Sequence, residues 1–141
     1  GYTTFKKKQI LNLTKICAKL IKKYKIKNNN LVGHSDIAPL RKKDPGEKFP
    51  WEKLAKKNIG IWHNFRPDFL KKFRKIKITK KQDKTKFIRD LRNIGYCVSF
   101  RKSSILAKVI KSFQRRYRKQ LVNGVADEEC SIIAQNLSKK V

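Results

Sequence analysis

Apolar residues recur at helical intervals from the start of the chain: Ile10, Leu13, Cys17, Leu20 and Tyr24 follow one another at steps of 3, 4, 3 and 4. That spacing predicts a surface helix over residues 5–25, with one apolar stripe against a core and lysines covering the other side. Asn28, Asn29 and Asn30 favour turn and left-handed conformations and end it. Leu31 and Val32 then read as a short buried strand. From Gly33 to Pro50 the periodicity breaks. Pro39, Pro45, Gly46 and Pro50 predict a long loop, after which Trp51 and Leu54 anchor one or two helical turns over 51–57.

The second half has a different texture. Residues 66–81 are dense in Lys and Arg with a few large apolar residues, the pattern of a linker or an edge segment between two units. Phe87, Leu91 and Ile94 share one face of a helix over 84–94, and Gly95 stands where a helix C-terminal glycine is expected. Ser103 or Ser104 is placed to cap a helix carrying Leu106, Ile110, Phe113 and Tyr117. Asn123-Gly124 is a turn signal, and Asp127, Glu128 and Glu129 put acids on the positive end of a last helix that buries Ile132, Ile133 and Leu137. Three helices of this size predict a small bundle with a marginal core. No internal repeat relates the two halves.

Composition narrows the class. At 141 residues and 39% hydrophobic the chain has material for one ordinary domain or two very small ones. No stretch approaches the roughly 18 uncharged apolar residues of a membrane span, so no transmembrane segment is expected. Cys17, Cys97 and Cys130 are odd in number and widely spaced, with no C-x-x-C pair, and read as small buried hydrophobes rather than a disulfide framework or zinc ribbon. Methionine is absent and residue 1 is Gly, so the chain is expected to be a processed or partial product.

The net charge of +28 invites a nucleic-acid partner. Yet 29 of the 38 cations are Lys and only 9 are Arg, the residue suited to bidentate phosphate and guanine recognition. A nucleic-acid partner is therefore not expected. Acidic residues concentrate between Asp36 and Glu52, and none occurs in residues 1–30, so a cation site is sought in the 36–52 region.

The segment Gly33-His34-Ser35-Asp36-Ile37-Ala38-Pro39-Leu40-Arg41-Lys42-Lys43-Asp44-Pro45-Gly46 lies there. A His and an Asp ten residues later, on a loop stiffened by two prolines, are placed to converge on one zinc ion as part of a two-His-one-carboxylate site. Taken alone, the spacing equally fits a histidine hydrogen-bonded to a nearby aspartate for structural reasons.

The longer run GHSDIAPLRKKDPGEKFPWEKL resembles the closing motif of the zinc-dependent N-acetylmuramoyl-L-alanine amidases of the AmpD type, close to GHSDIAPGRKxDPGxxFPW. Agreement is unbroken over His34 to Pro39, resumes at Arg41-Lys42, and includes Asp44-Pro45-Gly46 and Phe49-Pro50-Trp51. The resemblance implies that His34 and Asp44 are Zn2+ ligands and that Lys42 stabilises the oxyanion of amide hydrolysis, whereas outside the motif Lys42 would be one surface lysine among 29. Asp36 then orients the loop or the ligand His without touching metal. Leu40 departs from the family's glycine. The family's first zinc-binding His and its general-base Glu lie upstream of this motif, and only one predicted helix and one predicted strand precede His34. The other histidine, His63, reads as a surface or packing residue. The resemblance thus implies that this chain by itself is inactive and that an N-terminal fragment would complete it.

The second half resembles the three-helix peptidoglycan-binding domain: Ile94-Gly95-Tyr96, then Phe113-Gln114-Arg115-Arg116-Tyr117, then Val122-Asn123-Gly124-Val125-Ala126-Asp127, with Asn-Gly in place of that family's Asp-Gly turn. Phe113 and Tyr117 would equally serve as core residues of any helical bundle. The expected fold is thus an α/β amidase-domain remnant of helix, short strand and long loop over 1–65, a basic linker over 66–81, and an all-α three-helix peptidoglycan-binding bundle over 82–141. The expected activity is hydrolysis of the amide between N-acetylmuramic acid and L-alanine, with peptidoglycan or muropeptides as partners and a periplasmic or cell-envelope location, a cytoplasmic one being the alternative. A non-catalytic peptidoglycan-binding relic of a split amidase gene is the alternative function, and the basic nucleic-acid reading ranks below both.

Overall fold

In the computed structural model, which describes residues 3–98 and 103–141, the helical spacing at the N-terminus becomes α1, Lys7–Tyr24. Its first turn is closed by the Gln9 side-chain oxygen, which accepts from the Lys6 N–H at 2.9 Å. Lys25 takes a left-handed conformation at its C-terminal end. No residue of α1 is buried. Of the expected stripe, Ile10, Leu13 and Cys17 are half-buried, while Leu20 and Tyr24 lie exposed with Leu11 and Ile16. The helix therefore has apolar surface left over after packing on its own chain.

Beyond a 3-10 turn at Asn28–Asn30 come two short helices, α2 (His34–Ile37) and α3 (Trp51–Ala55), set in irregular chain. A third, α4 (Pro67–Lys71), begins with proline in its first turn, where the missing N–H costs nothing. The long elements of the second half follow the spacing of their apolar residues. They are α5 (Lys81–Ile94), α6 (Ser103–Tyr117) and α7 (Glu128–Ser138). Gly95 closes α5 at φ 109, and the Asp127 side chain caps α7 by accepting from the Cys130 N–H at 2.9 Å.

The main core lies among these three helices. Phe87, Leu91 and Ile94 meet Val109, Ile110, Phe113 and Tyr117 of α6 and Cys130, Ile133, Ala134 and Leu137 of α7. Residues 66–81 are packed into the same body: Leu70 and Ile78 are buried in that core, and Arg74 makes two 2.7 Å bonds to the buried Glu129 carboxylate. Ile61, Trp62 and Phe65 pack against its edge.

The expected architecture of an α/β amidase-domain remnant plus a separate three-helix peptidoglycan-binding bundle is corrected on two counts. Among the described residues there is no strand, only an isolated antiparallel bridge between Lys77 and Asp127. Leu31 is extended, but its carbonyl accepts from the Arg116 guanidinium at 2.9 Å, so a side chain takes the bond a neighbouring strand would have made. Nor is the bundle separate. α2 packs on α6, and the two halves share buried polar contacts that neither could satisfy alone.

Candidate active site

The chain enters the site at Gly33, whose N–H donates to Asp36 Oδ2 at 2.7 Å. Asp36, three residues on, thus caps the single turn of α2, and the turn closes with the Ala38 N–H on the His34 carbonyl at 2.9 Å. A glycine is needed here for space, since a Cβ at position 33 would stand 2.8 Å from the Pro45 ring. The N–H groups of Arg41 and Lys42 both turn back to the Ala38 carbonyl, which reverses the chain. Asp44 is brought alongside α2, and its carbonyl accepts from the Ser35 N–H at 2.9 Å.

That main-chain tie sets the side chains. His34 Nδ1 lies 3.1 Å from Asp44 Oδ2, with the two side chains 43% and 62% exposed, so the pair faces solvent rather than a core. An imidazole nitrogen and a carboxylate oxygen that converge at an open surface are of the donor types zinc takes. The pair fits two positions of a three-donor set. Among the described residues no group of three His, Cys, Asp or Glu side chains could hold a metal.

The other candidate donors are engaged elsewhere. His63 stacks on Trp62 and Phe65, and burial holds its pKa down at about 4 although the Tyr117 backbone and the Glu52 charge oppose the shift. Cys130 is fully buried, and burial together with the Asp127 charge pushes its thiol up to about 12. The Cys130 thiol therefore stays protonated at neutral pH, and the His63 ring, although neutral, is committed to its stack with Trp62 and Phe65.

Asp36 points inward. Besides the Gly33 N–H it receives Arg116 Nη1 at 2.6 Å and the Tyr96 hydroxyl at 2.7 Å, all buried. The Arg116 guanidinium lies over the Trp51 ring at 4.0 Å and also donates to the Leu31 carbonyl. Burial by itself would lower the Arg116 pKa, but Tyr117, Asp36 and Tyr96 outweigh it and raise it, so the cation persists. The Tyr96 phenol is held protonated by burial and by the adjacent Asp36 charge, which suits a donor to that carboxylate. From the same helix as Arg116, the Ser112 hydroxyl donates to the Ser35 carbonyl at 2.6 Å. The helical half therefore grips α2 at two successive residues, Ser35 and Asp36, and leaves His34 free to face outward.

Lys42 is half-buried and lines a cleft between the 39–43 loop and α6, on the chain that joins the two candidate ligands. Spacing did not reveal Arg116, Tyr96 and Ser112 as supports of the loop. A signal was present: Arg is the minority cation, yet Arg115, Arg116 and Arg118 fall within four residues. The rest of that helix-end motif is committed to structure. Gln114 Oε1 accepts from the Asn123 and Gly124 N–H groups, and Arg118 is buried against Asp127 at 3.1 Å.

The chain is similar to several known proteins. Residues 1–47 match the family described as N-acetylmuramoyl-L-alanine amidase. The chain is 36% identical over 144 residues to the N-acetylmuramoyl-L-alanine amidase AmiD of Escherichia coli (strain K12), a match covering 99% of this chain and 50% of that protein. It is 41% identical over 52 residues to the 1,6-anhydro-N-acetylmuramyl-L-alanine amidase AmpD of Enterobacter cloacae, covering 37% of this chain and 28% of that one. Among solved structures, E. coli AmiD in complex with the substrate anhydro-N-acetylmuramic acid-L-Ala-D-gamma-Glu-L-Lys superposes with a TM-score of 0.84 at 34% identity, covering 99% of this chain and 55% of that one. AmpDh3 from Pseudomonas aeruginosa gives a TM-score of 0.84 at 28% identity, covering 99% and 56%. The chain spans about half the length of the relatives it matches across its whole extent. Since one solved chain covers nearly all of it, both halves and their mutual placement have a counterpart in a single structure. That finding also overturns a remnant with an independent bundle.

Proposed function

We propose that this chain, similar in sequence and fold to AmpD-type N-acetylmuramoyl-L-alanine amidases, carries one part of a zinc-dependent site that hydrolyses the amide between N-acetylmuramic acid and L-alanine. The observation that carries the reading is the solvent-facing pair His34 Nδ1 and Asp44 Oδ2, 3.1 Å apart, on a loop held rigid from below by Asp36 and Arg116. In the reaction, water adds its oxygen to the lactyl carbonyl carbon of the muramic acid. The carbon–nitrogen bond breaks, and the L-alanine nitrogen leaves as an amine after taking a proton. Bound by His34, Asp44 and a further donor, zinc supplies a Lewis acid for the carbonyl and lowers the pKa of water.

The residues of this chain have separable tasks. Lys42 places a cation where the carbonyl oxygen becomes an oxyanion, which lowers the barrier because the charge exists only near the transition state. Asp36 fixes the turn that aims His34. The remaining donor and the general base come from residues outside these 141, on a longer product of the same gene or on a complementing chain. The uncovered apolar residues Ile16, Leu20 and Tyr24 of α1, at steps of four, supply a face for that missing part. The substrates are muropeptides of the kind bound by the solved relatives, in the cell envelope, where the +28 charge favours an anionic wall.

The test is an assay of L-alanyl peptide release from anhydromuropeptides by the full gene product and by the 141-residue chain alone. Expected are activity of the full product that a chelator abolishes and zinc restores, about a 100-fold or greater loss in His34→Ala and Asp44→Ala, and none from the isolated chain. Chelator-insensitive activity, or His34→Ala at full rate, would remove the zinc assignment.

A further inference from the structure

We infer that the cleft between the 39–43 loop and α6 docks the carboxylates of the peptide that leaves when the amide is cut, an inference that rests on the amidase reading above. Six cations converge there: Arg41, Lys42 and Lys43 from the loop, and Lys108, Lys111 and Arg115 from α6. On the helix they are spaced 3 and 4 apart, so all three project from one face. Among the described residues no carboxylate lines the cleft. Of the six, Arg115 is paired with Glu47, whose Oε1 lies 3.4 Å from its Nε.

Like charges gathered in a concave site repel one another, and the low-dielectric walls focus their field outward. The arrangement is unfavourable until an anion enters. Size and position indicate which anion. The cleft is small, about 240 Å³, and is lined besides its cations only by Pro39 and Leu40, so it admits an extended peptide more readily than a duplex. It also adjoins the reaction: Lys43 directly precedes Asp44 in the chain. A ligand that reaches Lys43 is held one residue along the chain from Asp44.

A stem of the L-Ala-D-γ-Glu-L-Lys kind meets these requirements. Linkage through the γ-carboxyl leaves the α-carboxylate of the glutamate free, and the terminal lysine carries a second one. Both lie on the amine side of the scissile bond. The cleft then gives the enzyme a charge-based reason to discriminate against stems whose carboxylates are amidated. Lys108 and Lys111, outside the amidase motif, become specificity residues supplied by the helical half.

The experiment is calorimetric titration of the metal-free 141-residue chain at low ionic strength with the tripeptide L-Ala-D-γ-Glu-L-Lys, and with the same peptide bearing carboxamides in place of both carboxylates. The free acid is expected to bind, and the diamide to bind at least about tenfold more weakly. Lys108→Ala/Lys111→Ala is expected to weaken the free acid about three- to tenfold. A charge-matched control on α1, Lys19→Ala/Lys22→Ala, leaves it unchanged. Should the double variant fail to fold, Lys108→Glu at its exposed position carries the test. Equal losses in the control, indifference to amidation, or tighter Lys108- and Lys111-dependent binding of duplex DNA would each overturn the inference. Because binding is read without metal or turnover, an active enzyme with no peptide affinity sinks only this proposal, whereas an inactive full product that binds peptide sinks only the hydrolase.

Discussion

The two histidines show how environment decides what a side chain can do. His34 stands at the start of a one-turn helix with its ring toward solvent and Asp44, whereas His63 is stacked between Trp62 and Phe65 and is kept neutral by burial, its pKa near 4. A neutral buried His has a pH signature. Its folded pKa lies below the ordinary value of about 6.5, so the unfolded chain binds the proton first and stability falls as pH drops from about 6.5 toward 4. Above that window the contribution is complete. Denaturant titrations at pH 7.5 and 4.5, followed by tryptophan fluorescence, are expected to show a loss of at most about 3 kcal/mol attributable to this group. His63→Phe, which keeps the ring stack and cannot charge, is expected to flatten that part of the pH dependence. An unchanged pH profile in the variant would assign the acid sensitivity to other groups. In the sequence, His34 was recognisable as a ligand candidate because its neighbours form a motif. His63 offered only Trp62 and Phe65 close by in sequence, and its burial depended on Tyr117 arriving from elsewhere in the fold.

At the level of elements, α5, α6 and α7 were legible because residues three and four apart share a face wherever a helix packs. The same rule predicted α1 but overstated its cover, since Leu20 and Tyr24 remain exposed on this chain. Leu31-Val32 was misread as a strand: two apolar residues have no periodicity to distinguish a ladder from a single extended stretch. The loop 33–46 shows what its small residue is for. Gly33 lets Pro45 pack against the start of α2, and the Ser35–Asp44 main-chain bond follows from that closeness. Gly33→Ala is expected to cost about 1–3 kcal/mol in denaturant unfolding, because the new methyl must push the proline ring or the Trp51 ring aside. The full gene product carrying it is expected to lose kcat through displacement of Asp44 relative to His34. A variant with wild-type stability and rate would show that the loop tolerates the displacement.

For the molecule as a whole, the decisive contacts cross from one half to the other. Asp36 and Arg116, 80 residues apart, form a buried ion pair that is completed by Tyr96, and Ser112 reaches Ser35 across a similar span. The two halves are therefore expected to unfold together, with far-UV dichroism and tryptophan fluorescence tracing one coincident transition. Asp36→Ala is expected to lower stability by about 3–5 kcal/mol, because it leaves the buried guanidinium without its carboxylate. Two separated transitions, or a near-neutral Asp36→Ala, would contradict a shared core. From the order of residues alone followed the helical faces, the turn signals, the basic balance and the His34–Asp44 donor types, because each depends on neighbours within a few positions. Only the folded chain determined that Asp36 turns inward while Asp44 turns out, and that the basic faces of the 39–43 loop and α6 meet. Two carboxylates eight residues apart on one loop are chemically alike, and what separates them is the buried Arg116 guanidinium and Tyr96 hydroxyl that the docking of the distant half brings to Asp36.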